Sequence, residues 1–364
     1  MDSIVNAAIQ HGTLEKRLYD EFSEAEHLKI VVCGTGGAGN NTINRLCHIG
    51  VEGAEMIAIN TDKQDLSKLP GNITKILIGA KLMRGLGAGG FPELGEKAAE
   101  SSHHELAEVL ANTHLLFLCA GMGGGTGTGS APVIAEIAKE AGAIVVGVVT
   151  FPFALERARL DKARDGIDRL RRVADTVIVI DNNKLVQYVP NLPLDKAFSV
   201  ADEVVARAVK GITETIKEAS LINLDFADIK SVMGGGRVAV ISVGDGDGPD
   251  RVERAVKNTL EHPLLEVDYK GAKGALIHIT GGNDMTLGEA NEIGEKITQQ
   301  LDPQATITWG ARVNPALNDK IEVIAIITGV KSPNILGAVQ TTLGRVGEPS
   351  IYSKDIESWD IKSL

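Results

Sequence analysis

The chain has 364 residues, of which 43% are hydrophobic, and a formal net charge of −11. This length is enough for two domains with cores of their own. The negative charge disfavours nonspecific binding to nucleic acid or anionic lipid, and no stretch approaches the roughly 18 uninterrupted apolar residues that cross a bilayer. Three cysteines without a histidine at metal-ligand spacing are not a disulfide framework. We therefore expect a cytoplasmic protein with no nucleic-acid partner and no direct membrane insertion.

The first predicted elements are apolar strands that alternate with helical patterns. A polar leader with a short amphipathic helix precedes them, over residues 1–27. The alternation is typical of a parallel sheet covered by helices on both faces, and it predicts a domain over residues 28–193. The predicted strands of this domain are residues 28–33, 55–60, 75–78, 115–119, 144–149 and 177–180.

A long helix is predicted next, because apolar residues that include Ala197, Val204 and Ile212 recur at helical spacing. It begins at Leu194 and ends near Ala219, within a connecting segment 194–222, and it would be about 37 Å long. A second, smaller α/β domain over 223–330 and a flexible tail over 331–364 follow. The second domain has predicted strands at 237–243, 275–280, 306–309 and 321–327 and predicted helices near 249–261 and 286–300.

The segment from Gly121 to Gly129 reads Gly-Met-Gly-Gly-Gly-Thr-Gly-Thr-Gly, after an apolar strand and before a helical pattern that starts at Ser130. Each ordered glycine costs about 0.5–1 kcal/mol of backbone entropy relative to alanine. Bare amides in such a turn, at the positive end of a helix, form a cradle for phosphate, and the Thr126 and Thr128 hydroxyls would add to it. The position between strand and helix favours phosphate binding over a flexible linker.

A second glycine cluster follows the first strand, where Gly34 to Gly39 match the pattern G-x-G-x-x-G. Asp62 stands at the end of the next strand, where a Rossmann domain carries its ribose-binding acid. A nicotinamide oxidoreductase is therefore one alternative. That fold gives no account of the loop at 121–129, whereas two phosphate-type loops on one sheet suit a triphosphate held from two sides. A Walker-type P-loop is excluded, because Gly-Lys nowhere precedes Ser or Thr.

These motifs resemble those of FtsZ, the tubulin-like GTPase that polymerises at the division site of bacteria and many archaea. The resemblance runs from about residue 30 to residue 330 and favours an archaeal source. It implies an α/β, tubulin/FtsZ-like fold, in which a long central helix joins a parallel-sheet GTP-binding domain to a smaller α/β domain. The matching segments are 36–41, 60–62, 87–92, 123–129, 152–156, Asn182, Phe198 with Asp202, 223–228, 281–287 and 309–310.

The resemblance implies that the chain binds GTP and GDP, with Mg²⁺ on the nucleotide phosphates and not on protein ligands. A loop consisting of Gly87, Ala88, Gly89 and Gly90 would sense the γ-phosphate. The residues that would surround the other phosphates are Gly36, Gly37, Ala38, Gly39, Asn40, Gly124, Gly125, Thr126 and Gly127.

For the ribose, the resemblance implies hydrogen bonds to Glu156 with an arginine nearby. The family usually has Glu, then Gly, then Arg four residues after the Glu. This chain reads Glu156-Arg157-Ala158-Arg159 and is one residue shorter there. Arg159 is the first candidate for the arginine, and Arg157 is the second.

For the base, Asn41, Asn182 and Asp202 would provide hydrogen bonds, and Phe198 would stack on the ring. Phe198 and Asp202 are four residues apart and therefore lie on one face of the long helix. A carboxylate accepts from both guanine N1–H and the exocyclic amine, which favours GTP over ATP.

The GTP-binding domain has no obvious group that activates water. The resemblance implies that Asp225 and Asp228 do so in the next subunit of a head-to-tail homopolymer, at the division site. A nucleotide-dependent filament without hydrolysis is a further alternative. The tail contains Ile351, Tyr352 and Trp359, and it either docks onto a membrane-tethering division protein, as FtsZ tails do, or packs on its own domain.

Overall fold

The computed structural model describes residues 28–217, 226–234, 237–261 and 268–330. Its strands form one continuous ten-stranded sheet in the order β3-β2-β1-β4-β5-β6-β7-β10-β8-β9, where labels follow chain order. The strands are β1 Ile30–Thr35, β2 Ala54–Asn60, β3 Thr74–Leu77, β4 Leu115–Gly121, β5 Ile144–Phe151, β6 Thr176–Asp181, β7 Arg237–Asp247, β8 Gly274–Gly281, β9 Thr306–Val313 and β10 Lys320–Thr328.

Helices cover both faces of this sheet. The long helix predicted from apolar spacing is present, and its described bounds are those of α9 below. The helices are α1 Gly36–Ile49, α2 Lys63–Ser67, α3 Ala80–Met83, α4 Pro92–Ser101, α5 His103–Leu110, α6 Thr126–Glu140, α7 Arg157–Val173, α8 Asn182–Tyr188, α9 Leu194–Lys217, α10 Phe226–Met233, α11 Arg251–Leu260 and α12 Leu287–Thr298, with a 3₁₀ turn at Pro315–Leu317.

Strand directions confirm the predicted parallel sheet in the first half of the molecule, which consists of β1 to β6. Each hydrogen-bonded pair there is parallel. In the second half, β7 to β10, the strand β10 runs antiparallel to both β7 and β8. The two halves are joined because β6 and β7 pair in parallel, with Thr176 opposite Arg237. The two predicted α/β units therefore share one sheet.

The helix α9 belongs to both halves. Its buried residues Val205, Val209 and Ile212 join an apolar cluster that also contains Ile178 of β6 and Ile324 of β10. The contact is closest at Gly211, where a Cβ atom would lie 1.9 Å from Ile324 Cδ1. Two further apolar clusters lie on the opposite face of the sheet, one in the first half of the molecule and one in the second. None of the helices in the described part of the chain has the length and apolar character of a membrane span.

The glycine-rich segment differs from the prediction in where its helix starts. The helix α6 begins at Thr126 and not at Ser130, so Gly127 and Gly129 are helical. A Cβ atom on Gly129 would lie 1.9 Å from the carbonyl oxygen of Pro92 at the start of α4. Gly129 therefore lets two helices approach closely, which is a packing role and not a ligand-binding one.

Candidate functional site

A cavity of about 860 Å³ lies where β1, β4, β5 and β6 end, which we call the carboxyl edge of the sheet. Its volume is in the range of small-molecule sites, and its position is the usual one for ligands of parallel α/β sheets. Two strand-to-helix turns, β1 to α1 and β4 to α6, form one end of it. The lining residues from these turns are Thr35, Gly36, Gly37, Ala38, Gly121, Met122, Gly124, Gly125, Thr126 and Gly127.

The two turns touch each other, and this contact requires glycine. Gly36 has φ +71°, a left-handed conformation that a side chain disfavours, and a Cβ atom there would lie 2.8 Å from the amide nitrogen of Gly127. A Cβ atom on Gly121 would lie 2.5 Å from Cβ of Ala38. The amino ends of α1 and α6 consequently converge on the cavity, where their amides and helix dipoles favour an anion.

Thr126 and Thr128, in the turn from β4 to α6, differ in the direction of their hydroxyls. Thr126 Oγ1 lies 2.6 Å from Thr61 Oγ1, and Thr126 lines the cavity. The Thr128 hydroxyl, predicted to face phosphate, accepts from the Gly123 amide at 2.9 Å instead and does not line the cavity. The Thr128 hydroxyl therefore stabilises the turn by binding the backbone amide of Gly123. The expectation that it faces phosphate is corrected.

The cavity is also lined by Glu156 and Arg159, at the start of α7. Glu156 accepts from the Phe153 amide at 3.1 Å and from Arg159 Nη1 at 2.6 Å. Arg157 does not line the cavity, so the geometry favours Arg159 among the two arginine candidates. This part of the cavity thus holds a carboxylate whose orientation is set by two donors.

The far end of the cavity is lined by Asn41, Asn182, Phe198 and Asp202. The Phe198 ring meets that of Phe153 edge to face, with centroids 5.7 Å apart. Burial raises the pKa of Asp202, against the lowering effect of a hydrogen bond from Thr42 and the charge of Arg45. A flat aromatic surface beside a half-buried carboxylate suits a base that donates two hydrogen bonds.

Two residues that support this site were missed in the sequence. Thr42 lines the cavity and donates from Oγ1 to Asp202 Oδ1 at 2.9 Å. Asn183 accepts from the Ala154 amide at 2.7 Å and donates to the carbonyl of Pro152 at 3.3 Å, which ties the 152–154 loop to the end of β6. For Thr42 a signal was available, since it follows Ala38 by one helical turn and so lies on the same face of α1.

Some residues of the expected phosphate site do not line the cavity. Gly39 and Asn40 are buried behind it, where a Cβ atom on Gly39 would lie 2.3 Å from the carbonyl oxygen of Cys119. Among the residues that the structure describes, neither polar atom of the Asn40 side chain has a hydrogen-bond partner. The loop with Gly87, Ala88, Gly89 and Gly90 lies behind Gly125, because a Cβ atom on Gly125 would lie 2.8 Å from Cβ of Ala88.

Asp62, the acid of the dinucleotide-binding alternative, serves a different purpose. Its carboxylate accepts from the amides of Gln64 at 2.8 Å and Asp65 at 3.2 Å, so it caps α2. It does not line the cavity. The G-x-G-x-x-G match thus lacks the ribose-binding acid that would make it a nicotinamide site.

Asp228 lies far from the cavity. It is in the first turn of α10, whose first residue, Phe226, meets His114 with ring centroids 6.1 Å apart. The carbonyl of Met233, at the end of α10, accepts from Thr176 Oγ1 at 2.6 Å. His114 precedes β4 and Thr176 begins β6, so α10 lies at the amino edge of the sheet, opposite the cavity. Asp225 lies outside the described residues, as do the leader and the tail.

Comparisons with known proteins agree with this architecture. The sequence matches the Tubulin/FtsZ family, GTPase domain, over residues 29–190 and the FtsZ family, C-terminal domain, over residues 237–331. It is 63% identical to cell division protein FtsZ 2 of Methanocaldococcus jannaschii, over 92% of this chain and 88% of that one. It is 52% identical to cell division protein FtsZ 2 of Halobacterium salinarum strain R1, over 93% and 86%.

The fold comparison gives the same result. The structure of an empty FtsZ dimer from M. jannaschii superposes with a TM-score of 0.80 at 46% identity, covering 93% of this chain and 99% of that one. A point mutant of FtsZ from the same organism superposes with a TM-score of 0.78 at 49% identity, covering 87% and 95%. The chain therefore belongs to the FtsZ family of tubulin-like cell-division GTPases.

Proposed function

We propose that the cavity holds GTP and that chains assemble head to tail, so that each GTP is hydrolysed between two subunits. The observation that carries this proposal is the placement of Asp228 and the cavity at opposite edges of one sheet. The strand β4 has seven residues, so these edges are about 20 Å apart. Asp228 cannot act on the nucleotide of its own subunit, but stacking brings one edge against the other.

The phosphates would lie at the glycine turns. The amides of Gly36, Gly37, Gly124 and Gly125 are at the amino ends of α1 and α6, where an anion is stabilised without a side-chain cation. The loop with Ala88 supports Gly125 from behind. A shift of Gly125 towards a γ-phosphate would therefore be transmitted to that loop.

The ribose and guanine would occupy the rest of the cavity. Glu156 would accept from the ribose hydroxyls, with Arg159 holding its second oxygen. Asp202 would accept from guanine N1–H and the exocyclic amine, while Phe198 contacts the ring. Adenine offers no N1–H donor, which gives discrimination against ATP.

Mg²⁺ would be held by the phosphates. Among the described lining residues, the carboxylates are Glu156 and Asp202, and neither is in the glycine turns. No group of three metal-ligating side chains occurs in the described residues. Mg²⁺ bound together with the nucleotide would supply neutralisation of the phosphate charge. Asp228 and Asp225 of the neighbouring subunit would then orient water at the γ-phosphate.

An apolar surface beside the cavity supports assembly. Leu86 and Leu155 are each 82% exposed, and Phe91 is 57% exposed. Leu86 and Phe91 flank the loop that contacts Gly125, and Leu155 lines the cavity itself. Large exposed apolar side chains grouped at one end of a molecule are typical of a protein–protein contact. A neighbouring subunit would cover them.

The filament would act in the cytoplasm at the division site. The described residues contain no helix that is long and apolar enough to span a membrane. We propose that the filament is attached to the membrane by a second protein. The apolar residues of the tail, including Tyr352 and Trp359, would bind such a membrane-tethering partner.

The test follows light scattering and phosphate release together, after GTP and Mg²⁺ are added to the wild type, Asp228→Ala and Asp225→Ala. We expect scattering with GTP and not ATP, and phosphate release that rises cooperatively with protein concentration. Each variant should scatter but release phosphate at least about 100-fold more slowly. Glu253→Ala is the matched control, because it removes a carboxylate from the first turn of another helix, α11.

Three results would contradict the proposal. Phosphate release proportional to protein concentration without scattering would place the whole active site in one subunit. Wild-type scattering without hydrolysis would favour the non-hydrolysing filament. Binding of NADH in place of GTP would favour the dinucleotide-binding alternative.

A further inference from the structure

Thr42 connects the helix that carries the first glycine turn to the carboxylate at the other end of the cavity. Its Oγ1 lies 2.9 Å from Asp202 Oδ1 and 3.3 Å from the carbonyl oxygen of Ala38. A hydroxyl has one hydrogen to donate, and the shorter bond to a charged acceptor is the stronger one. Thr42 therefore donates to Asp202, and both residues line the cavity.

The surroundings of Asp202 leave Thr42 as its direct donor within the described residues. Arg45, also on α1, acts on Asp202 by its charge and is itself paired with Glu203 at 2.8 Å. Cys119 of β4 is a neutral thiol, since burial raises its pKa to about 12. Neither group is placed to fix the orientation of the Asp202 carboxylate.

We propose that Thr42 is a positioning residue for base recognition, which turns the Asp202 carboxylate so that both of its oxygens face the guanine edge. The inference rests on the proposed function, in which Asp202 reads guanine. Recognition of N1–H and the exocyclic amine requires two acceptors in one plane. When Thr42 donates to Oδ1, one lone pair of Oδ1 and both lone pairs of Oδ2 stay available to accept hydrogen bonds from guanine. Without the hydroxyl, the side chain of Asp202 is free to rotate away from this plane.

The test compares the affinities for GDP and IDP, since hypoxanthine keeps N1–H but lacks the exocyclic amine. Diphosphates are used because no hydrolysis then occurs. Thr42→Val replaces the hydroxyl with a methyl group of similar shape, and we expect GDP affinity to fall about tenfold and IDP affinity by less. Thr42→Ser restores the hydroxyl and should restore the GDP preference. Thr213→Val is the matched control on α9, because Thr213 is buried and its hydroxyl donates to the carbonyl of Val209 in the same helix.

A pH series adds a readout that a loss of packing would not move. A protonated Asp202 cannot accept from both guanine donors, so GDP affinity falls as the pH is lowered through the pKa of Asp202. The Thr42 hydrogen bond lowers that pKa, and Thr42→Val should therefore move the midpoint to higher pH. Thr42→Ala serves as a second variant if Thr42→Val does not fold, because it adds no volume.

Asp202→Asn separates the two levels of the proposal. One outcome is that Asp202→Asn loses the preference for GDP, while Thr42→Val keeps the wild-type ratio of GDP to IDP affinity and the wild-type midpoint of the pH series. This outcome overturns the role of Thr42, but Asp202 still reads the base. An equal loss of GDP and IDP affinity in Thr42→Val also overturns it. If Asp202→Asn keeps the preference for GDP, Asp202 does not read the base, and the base reading and the role of Thr42 both fail.

Discussion

The turn after β4 and the turn after β8 begin alike and differ in what surrounds them. Both leave a strand through glycine and lead into a helix, through Gly124 and Gly125 in one case and Gly281 and Gly282 in the other. The turn after β4 faces an open cavity. The turn after β8 is filled by side chains of its own half of the molecule.

Arg251 is the centre of the filled turn. Its side chain is 9% exposed, and it donates to both oxygens of Glu289 at 2.7 and 3.0 Å and to the carbonyl of Asp284 at 3.2 Å. Its guanidinium also pairs with the Asp284 carboxylate. Thr286 and Glu289 form a capping box at the start of α12. The backbone amides of Thr286 and Glu289 are thus satisfied within the chain. We propose that the turn around Gly124 is instead completed by a ligand.

The comparison shows that glycine between a strand and a helix does not by itself make an anion site. A helix end is open to an anionic ligand where no carboxylate of the protein already occupies it. Glu289 is the internal counterpart of the phosphate that we place at the first half. Substitutions in either turn can test this difference between the open turn after β4 and the filled turn after β8.

The largest effect is expected from replacing one glycine in each turn with a residue that has a side chain. A Cβ atom on Gly124 meets nothing within 4 Å, whereas one on Gly282 would lie 2.5 Å from Asp284 Oδ1. Gly124→Val should keep the wild-type melting temperature and lose about 100-fold in GDP affinity. Gly282→Ala should do the opposite, with a lower melting temperature and unchanged affinity. Calorimetric GDP titration and thermal unfolding distinguish them, and a Gly124→Val protein with wild-type affinity would contradict the cavity assignment.

A smaller effect is expected from removing the cation of the filled turn. Arg251→Met keeps most of the side-chain volume but leaves Asp284 and Glu289 without their partner. Thermal unfolding should show a melting temperature lower by several degrees, because carboxylates are left unpaired next to each other. GDP affinity should be unchanged. Loss of GDP binding in this variant would mean that the two turns are not independent.

The smallest effect is a dependence of stability on pH. Hydrogen bonding to Arg251 lowers the pKa of Glu289 from 4.5 to about 2. A folded-state pKa below the unfolded value stabilises the protein above pH 4.5, and this contribution is lost as the pH falls towards 2. Urea unfolding of the wild type and Glu289→Gln should give a stability difference that shrinks over that range. A constant difference would show that Glu289 acts through shape and not charge.

Much of the fold could be predicted because its signals are local. Buried parallel strands such as β1, β4 and β5 are continuous apolar runs, and α9 shows its apolar face at helical spacing. The pairing of β6 with β7, which joins the two halves, depends on residues far apart in the chain and has no local signal. The helical position of Gly129 escapes prediction because the approach of α4 is equally non-local.

The candidate site divides in the same way. The two glycine turns that line the cavity could be predicted, because a turn is specified by residues that are neighbours in the sequence. The contact between Thr42 and Asp202 joins residues 160 positions apart, and the direction of the Thr128 hydroxyl depends on the detailed course of its own turn. Such details follow from tertiary packing, which a motif does not contain.

We propose that one subunit of the filament supplies the nucleotide and the next supplies Asp228. The most direct measurement is the rate of phosphate release in a mixture of Gly124→Val, which keeps Asp228, and Asp228→Ala, which keeps the cavity. If the site is shared, the mixture hydrolyses GTP faster than the sum of the separate variants, because mixed junctions contain both intact parts. A mixture no faster than that sum, in filaments shown by labelling to contain both variants, would contradict the shared site.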